Sequence, residues 1–236
     1  MVNERDPMDP RNQSPFNVLP PTVVALAIII LGIELIFQAG ALGLAGGQQG
    51  PGWRITTLEQ WSVSEVVWDW MFDTRSAPLD QLARFLTYPL LHGSLIEAGF
   101  VAVFVLAFGN AIAPVYDTWR FLLIFFGASI DGALAYLIFF DSPVPLFGGF
   151  PGAYGLIGAF TYLTLRGLTR ADPSKAFVLL GFLIAIQPVF AIVTLSGLSF
   201  VPRWIAEIAG AATGYALAMI LFPGAIAGFR DRMRQR

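Results

Sequence analysis

The chain has 236 residues, of which 56% are hydrophobic and 13% are charged, and its mean hydropathy is +0.68. This composition is typical of a membrane protein that crosses the bilayer several times, and it leaves no room for a sizeable soluble domain. The formal net charge of −2 argues against a nucleic-acid partner, and the lack of cysteine excludes disulfide, thiol and cysteine–metal chemistry.

Apolar segments with the length of transmembrane helices recur along the chain. A helix needs about 20 mostly apolar residues to cross the hydrocarbon core of a bilayer. Six segments meet or approach this length, and the fourth is short: 21–45, 94–114, 119–140, 153–168, 176–198 and 204–222. We therefore predict an all-α bundle of six transmembrane helices over residues 19–226. A mobile tail is expected at 1–18 and an Arg-rich tail at 227–236.

Basic residues predict how the bundle is oriented, because short loops that carry lysine and arginine stay in the cytoplasm. The 141–152 loop has no basic residue and the 199–203 loop has only Arg203. The intervening loop and the C-terminal tail are basic, with Arg166, Arg170, Lys175, Arg230, Arg232, Arg234 and Arg236. Both termini are then expected in the cytoplasm. Because the N-terminus lacks a cleavable signal pattern, the first span should stay in the mature protein, and a bacterial inner membrane is the expected location.

The long connection between the first two spans, 46–93, is predicted to lie on the outer face. It begins with a glycine-rich stretch, Gly46–Gly52, which we expect to form a flexible turn. Tryptophans follow at high density, at Trp53, Trp61, Trp68 and Trp70. Because an indole ring is half apolar and half polar, it favours the headgroup layer. We therefore predict an outer loop embedded in the membrane interface.

Small residues predict close contacts between helices. Gly210 and Gly214 form a G-x-x-x-G pattern in the sixth span, which lets another helix approach closely. The fourth span has a similarly thin edge at Gly152, Gly155 and Gly158. We therefore expect these two helices to pack against each other. Pro188 lies within the fifth span and is expected to kink it.

Three segments near the starts of predicted helices carry distinctive residues. Arg84, Thr87 and His92 precede the second span. A glycine-rich run, 148–158, opens the fourth span, and Glu207 precedes the G-x-x-x-G pattern of the sixth. Together these segments resemble the signature motifs of the rhomboid intramembrane serine proteases. The resemblance covers most of the chain and implies the rhomboid fold, a six-helix bundle with an outer loop in the membrane.

The resemblance also implies that the catalytic side chains are missing. In the family the glycine-rich run holds a nucleophilic serine, but here Phe150 or Pro151 occupies that position, depending on the register. Glu207 falls on the general-base histidine. Glu97 and Val101 fall on the histidine and the asparagine that help to stabilise the oxyanion. Because acyl transfer needs a nucleophile, a base and oxyanion donors, we expect a catalytically inactive pseudoprotease without catalytic residues.

His92 is the only histidine in the chain, which limits any replacement catalytic pair. A new serine–histidine pair would have to combine His92 with Ser94 or Ser129. His92 matches a family histidine that is not the base, so we expect it to be hydrogen-bonded near the outer membrane boundary. An active intramembrane protease, sensitive to substitution of these three residues, is one alternative function.

Four carboxylates fall within the predicted spans, where charged groups usually face a protein interior or a wet cavity. At a rise of about 1.5 Å per residue, all four lie in the outer half of the membrane. They are Glu34, Glu97, Asp131 and Glu207. No lysine or arginine within a span can pair with them, so some are expected to be protonated. We also expect Glu97 to lie near Glu207 over a water-containing cavity.

These observations favour a non-proteolytic membrane protein that binds the transmembrane segments of other integral membrane proteins, in their assembly, stabilisation or quality control. Its expected partners are those proteins and the lipid bilayer, with no metal or other cofactor. Candidate residues of the cavity or client site are Glu34, His92, Asp131 and Tyr154. The other alternative is a small transporter or ion-conducting protein, whose flux would be lost in Glu34→Gln or Asp131→Asn.

Overall fold

A computed structural model describes residues 19–169, 171–193 and 197–223. The predicted tails at 1–18 and 227–236, with their arginines, lie outside the described residues, as does Arg170. Within the described ranges the chain is helical, and its β-structure is limited to one isolated bridge between Val63 and Leu146.

The architecture follows from the order and length of the helices. In chain order the α-helices of the described residues are α1 (Pro21–Ala41), α2 (Trp53–Trp61), α3 (Glu65–Thr74), α4 (Leu79–Thr87), α5 (Leu95–Ile112), α6 (Thr118–Phe139), α7 (Phe150–Leu165), α8 (Pro173–Val193) and α9 (Val201–Leu221). Helices α1, α5, α6 and α9 are each long and apolar enough to cross a membrane. Helix α7 has 16 residues, and α8 contains a shorter apolar stretch, Phe177–Val189. The predicted all-α membrane bundle is confirmed, and α7 begins three residues earlier than expected.

Polar residues fix where several membrane helices begin. The Ser94 hydroxyl accepts a hydrogen bond from the Glu97 N–H (3.3 Å) at the start of α5. The Asp117 carboxylate accepts one from the Arg120 N–H (3.3 Å) at the start of α6. Such caps satisfy N–H groups that have no partner within the helix. Helix α1 begins with Pro21, which has no N–H to satisfy.

The connecting segment, residues 42–94, joins α1 to α5 and contains α2, α3 and α4. The expected flexible turn instead forms a short 3₁₀ helix, Gly47–Gly52, packed against the end of α1. A Cβ on Gly40 would lie 2.5 Å from the Gly50 carbonyl oxygen, and a Cβ on Gly50 would lie 2.8 Å from the Gly40 carbonyl oxygen. Only glycine fits at either position, so the glycines here serve a close backbone contact.

Helix α4 has an inverted polarity that identifies its surroundings. Leu79, Leu82 and Leu86 share one face and are 84%, 42% and 50% exposed, whereas Arg84 is buried. The other face packs on the second half of α6, where the Tyr88 hydroxyl donates a hydrogen bond to the Ser129 carbonyl (2.5 Å) just after α4 ends. Exposed leucines at the depth of a membrane helix face lipid. This exposed apolar face fits a connecting segment that lies in the membrane interface, which stays a prediction.

Helix α7 lies at the centre of the bundle, between α5, α6 and α9, and nearly all of its side chains are buried. Its glycine edge lies directly against α9. A Cβ on Gly214 would overlap the Gly155 carbonyl group, and a Cβ on Gly210 would overlap the Pro151 carbonyl group. The two backbones are therefore in contact, and side chains larger than hydrogen are excluded.

Helix α8 lies at the edge of the bundle, and many of its described side chains are exposed. Pro188 lies inside it and has no N–H to donate to the Ile184 carbonyl one turn earlier. The Trp204 indole N–H of α9 donates a hydrogen bond to that carbonyl instead (2.7 Å). The Tyr154 hydroxyl of α7 donates to the neighbouring Leu183 carbonyl (3.1 Å). These side chains hold α8 to the bundle at its proline.

Candidate functional site

The candidate site lies where the loop before α7 meets the end of the connecting segment. The Gly148 N–H donates a hydrogen bond to the Tyr88 carbonyl (3.0 Å), and the Gly149 N–H donates to His92 Nε2 (3.3 Å). A Cβ on Gly149 would lie 2.8 Å from a Val101 methyl group. The structure therefore brings His92, Val101 and the glycine-rich run together. Both glycine N–H groups are engaged within the protein.

The first residues of α7 offer no nucleophile. Phe150 is partly buried and packs against the apolar core. Pro151 is buried, and its ring faces α6, where a Cβ on Gly132 would lie 2.7 Å from the Pro151 Cβ. Neither side chain has a hydroxyl or thiol, and Pro151 has no N–H to stabilise an oxyanion.

Glu207 on α9 sits in a polar network inside the bundle. Its side chain is only 2% exposed. The Gln187 amide of α8 donates a hydrogen bond to the carboxylate, and the Tyr154 hydroxyl of α7 also interacts with it. The network therefore links three membrane helices at the position that matches the family's general base.

Two of the four membrane carboxylates pair with arginine, so the expectation that they lack basic partners is wrong. Glu34, 1% exposed near the end of α1, forms an ion pair with Arg54 of α2 at 2.7 Å. Arg54 also donates to the His92 carbonyl oxygen (2.8 Å). Glu97 lies 3.8 Å from Arg203. The pairing was missed because Arg54 comes from the connecting segment and because α9 begins early enough to include Arg203.

The surroundings of Glu97 and Glu207 differ from the shared cavity that we expected. Arg203 lies one turn before Glu207 on α9, next to Glu97 and 4.9 Å from the centre of the Phe147 ring. A neighbouring cavity of about 270 Å³ is lined by Arg203 and Gln187, and neither carboxylate lines it. A cation therefore stands beside Glu97, and Glu207 turns towards α8.

Asp131 occupies a separate position between α6 and α9. Its carboxylate accepts a hydrogen bond from the Thr213 hydroxyl (2.6 Å), and the side chain is partly buried. This contact is a polar link between two membrane helices.

The geometry around His92 gives no support to a replacement catalytic pair. Burial lowers the pKa of His92 to about 4, so its imidazole is neutral near pH 7. Ser94 caps α5, and the Ser129 hydroxyl donates to the Phe125 carbonyl within α6 (2.9 Å). Among the described residues, the imidazole hydrogen-bonds to the Gly149 N–H and to neither serine.

Sequence reasoning missed three residues of the site: Arg54, Gln187 and Arg203. Gln187 gave a usable signal, because an amide next to a proline inside an apolar span needs a partner. Arg54 and Arg203 gave weaker signals, since each lies at the border of an apolar segment where arginine is common.

Comparisons with known proteins agree with the fold. The family model for the Rhomboid domain matches residues 79–224, from the start of α4 to just past α9, which is more than half of the chain. The chain is also similar to Rhomboid protease GluP of Bacillus subtilis (strain 168), with 34% identity over 82 residues. That alignment covers 35% of this chain and 16% of the relative, so the chain spans only a small part of the relative's length.

Proposed function

Because this chain belongs to the rhomboid family and is an integral membrane protein, we propose that it binds transmembrane segments of other membrane proteins without cleaving them. The observation that carries the proposal is the network of Glu207, Gln187 and Tyr154. It places a carboxylate, an amide and a phenol where the family's chemistry needs a base, and the start of α7 lacks a nucleophile.

The same network supports recognition of a membrane segment. Gln187 lies on α8, the helix with many lipid-exposed side chains, so polar groups come close to the edge of the bundle. An interhelical hydrogen bond in a membrane contributes about 1–2 kcal/mol in model peptides. A client segment with a polar side chain at this depth would therefore bind more tightly than a purely apolar one. A role of this protein in the assembly, stabilisation or quality control of its clients belongs to the same proposal.

The proposed orientation places both termini in the cytoplasm and the connecting segment outside, in a bacterial inner membrane. It is supported by Arg166 after α7 and by the absence of basic residues from the 141–152 loop. Cysteine-accessibility labelling tests it, since the natural chain has no cysteine. A cysteine at exposed Gln60 should react with an impermeant reagent added outside the cell, and one at exposed Asp172 should not.

Site-specific photo-crosslinking tests client binding. A photoreactive amino acid replaces Ile186, next to Gln187 on α8, or Ile28 on α1 as a matched control, since both isoleucines are lipid-exposed. We expect Ile186 to yield a discrete adduct with an intact integral membrane protein, weakened by Gln187→Leu, and Ile28 to yield none. Equal adducts at both positions, or none at Ile186, would contradict the proposal.

The active-protease alternative is tested with a model membrane substrate. We expect no cleavage by the purified protein. Cleavage that is lost in Ser94→Ala, Ser129→Ala or His92→Gln would replace our proposal with catalysis. No observation specifically favours the transporter alternative. Glu34 forms an ion pair with Arg54, and Asp131 accepts a hydrogen bond from Thr213.

A further inference from the structure

An apolar cavity of about 350 Å³ lies between α3 and α4 in the connecting segment. Its size falls within the range of small-molecule pockets. The walls are mainly apolar, and one arginine stands among them: Trp68, Met71, Phe72, Ala77, Leu82 and Arg75. Neither residue of the Arg54–Glu34 ion pair lines the cavity, and the site described above does not use it.

Exposed apolar side chains stand at the cavity. Leu82 lines it and belongs to the exposed leucine face of α4, and Phe72 on its other wall is also largely exposed. Behind them, Phe85 packs in the cluster that contains Leu137 of α6. Helix α4 lies against α6, which is long and apolar enough to cross a membrane, so the bilayer is within reach of the cavity. Its natural occupant is therefore a component of the bilayer.

Arg75 supplies the polar end of this site. It ends α3 with a left-handed backbone, φ +51°, which glycine usually provides at such a helix end. The Ser76 N–H donates to the Met71 carbonyl (3.0 Å) across the same turn. In the described part of the chain, the Arg75 guanidinium forms no ion pair. An exposed cation thus lies beside an apolar cavity, at a position whose left-handed backbone favours glycine.

We propose that this cavity binds a membrane glycerophospholipid, with one acyl chain between α3 and α4 and the phosphate on the Arg75 guanidinium. Guanidinium and phosphate make charge-assisted, often bidentate hydrogen bonds, which are stronger at an interface than in bulk water. A purely apolar occupant would make no use of the nearby guanidinium, and a free phosphate would leave the apolar walls uncovered. The amphiphile satisfies both parts of the site.

Photolabelling in nanodiscs tests the proposal with the full chain. The discs contain phosphatidylcholine with a trace of phosphatidylcholine that carries a diazirine on one acyl chain, and labelled peptides are mapped. We expect labelling concentrated in residues 68–82. Arg75→Gly, which suits the left-handed turn, should lower it on the order of tenfold through loss of a charge-assisted hydrogen bond. Arg75→Lys should retain most of it.

Blocking the cavity provides a second, independent variant. Ala77→Trp should fill the cavity and abolish labelling, whereas Leu86→Trp places the same ring on the lipid face of α4 outside the cavity and should leave it unchanged. A diacylglycerol probe, which lacks phosphate, should label weakly. Labelling spread evenly over the lipid-facing helices would overturn the proposal. The proposal would also be overturned if Arg75→Gly and Ala77→Trp were labelled as strongly as the wild type, or if both probes labelled the protein equally.

Discussion

At the scale of single residues, the membrane acids and the one histidine show how this bundle tolerates polar groups. The four acids have partners of three kinds: an arginine for Glu34 and Glu97, a hydroxyl for Asp131 and an amide for Glu207. The partners come mostly from a different helix or from the connecting segment. Polar contacts therefore join elements that hydrophobic packing alone would leave free to slide.

The ion pair between Glu34 and Arg54 yields a stability prediction. Arg54→Met should lower the free energy of unfolding by about 3 kcal/mol, because it leaves a buried carboxylate without its cation. Adding Glu34→Met should restore most of that loss, since an apolar pair replaces the buried charges. Unfolding in detergent micelles measures both. Arg120→Met is the control, because its pair with exposed Asp117 is worth about 0–1 kcal/mol.

His92 predicts a dependence of stability on pH. Its pKa is lowered from 6.5 to about 4 by burial, so the unfolded chain binds the proton more readily. The contribution of the neutral imidazole is complete above pH 6.5 and declines as the pH falls towards 4. At about 1.4 kcal/mol per pH unit, the loss approaches 3 kcal/mol.

Unfolding measured from pH 7 to 4 in the wild type and in His92→Gln isolates this effect, because the chain has no other histidine. The difference in stability between the two proteins should shrink as the pH falls. A difference that stays constant across this range would show that protonation of His92 is not coupled to folding.

At the scale of helices, the contrast between α9 and α8 is the main feature. Helix α9 touches α7 backbone to backbone, whereas α8 is joined to the bundle largely by polar side chains near Pro188. The first contact depends on the absence of side chains and the second on their presence. Each contact makes its own prediction.

Gly214→Ala should destabilise the protein by about 1–3 kcal/mol or more, because the added methyl group meets the Gly155 backbone rather than a movable side chain. Gly99→Ala on α5 is the matched control, since a Cβ there would meet nothing within 4 Å. The control should be neutral or slightly stabilising, because alanine favours helix more than glycine does. Thermal unfolding of the two variants compares them directly, and equal effects would refute the close contact.

Trp204→Phe should destabilise the protein by about 1–2 kcal/mol, because it leaves the Ile184 carbonyl without a donor. In a Pro188→Ala background the same change should have little effect, since alanine restores the N–H that Ile184 normally bonds within a helix. The double-mutant cycle therefore isolates the link between the tryptophan and the proline. Additive effects of the two changes would contradict it.

At the scale of the whole molecule, our proposal is that several parts of a protease site are missing at once. A double variant that installs Phe150→Ser and Glu207→His, or Pro151→Ser and Glu207→His, should still show no detectable cleavage of a model membrane substrate. Glu97 and Val101 remain at the oxyanion positions, and loss of one such donor alone costs about 10²–10³ in rate. Cleavage at the rate of an active rhomboid protease would show that the rest of the site remains competent.

The sequence predicted the bundle well, because the length and apolarity of a membrane helix can be read directly from it. The small-residue patterns that contain Gly155 and Gly214 are also local and can be read in the same way. It predicted less of the polar site. Arg54 and Glu34 are joined by the path of a loop that hydropathy does not describe. The inverted polarity of α4 is also unreadable without knowing that lipid, rather than water, lies outside it.

The direct contact of Gly155 with Gly214 has a mechanical consequence. No side chains separate the two backbones at this contact, so none can rearrange there. Helices α7 and α9 should therefore move as one rigid unit. Space for a client transmembrane segment would then be opened by movement of α8 or α5, while the polar groups on α7 and α9 keep their relative positions.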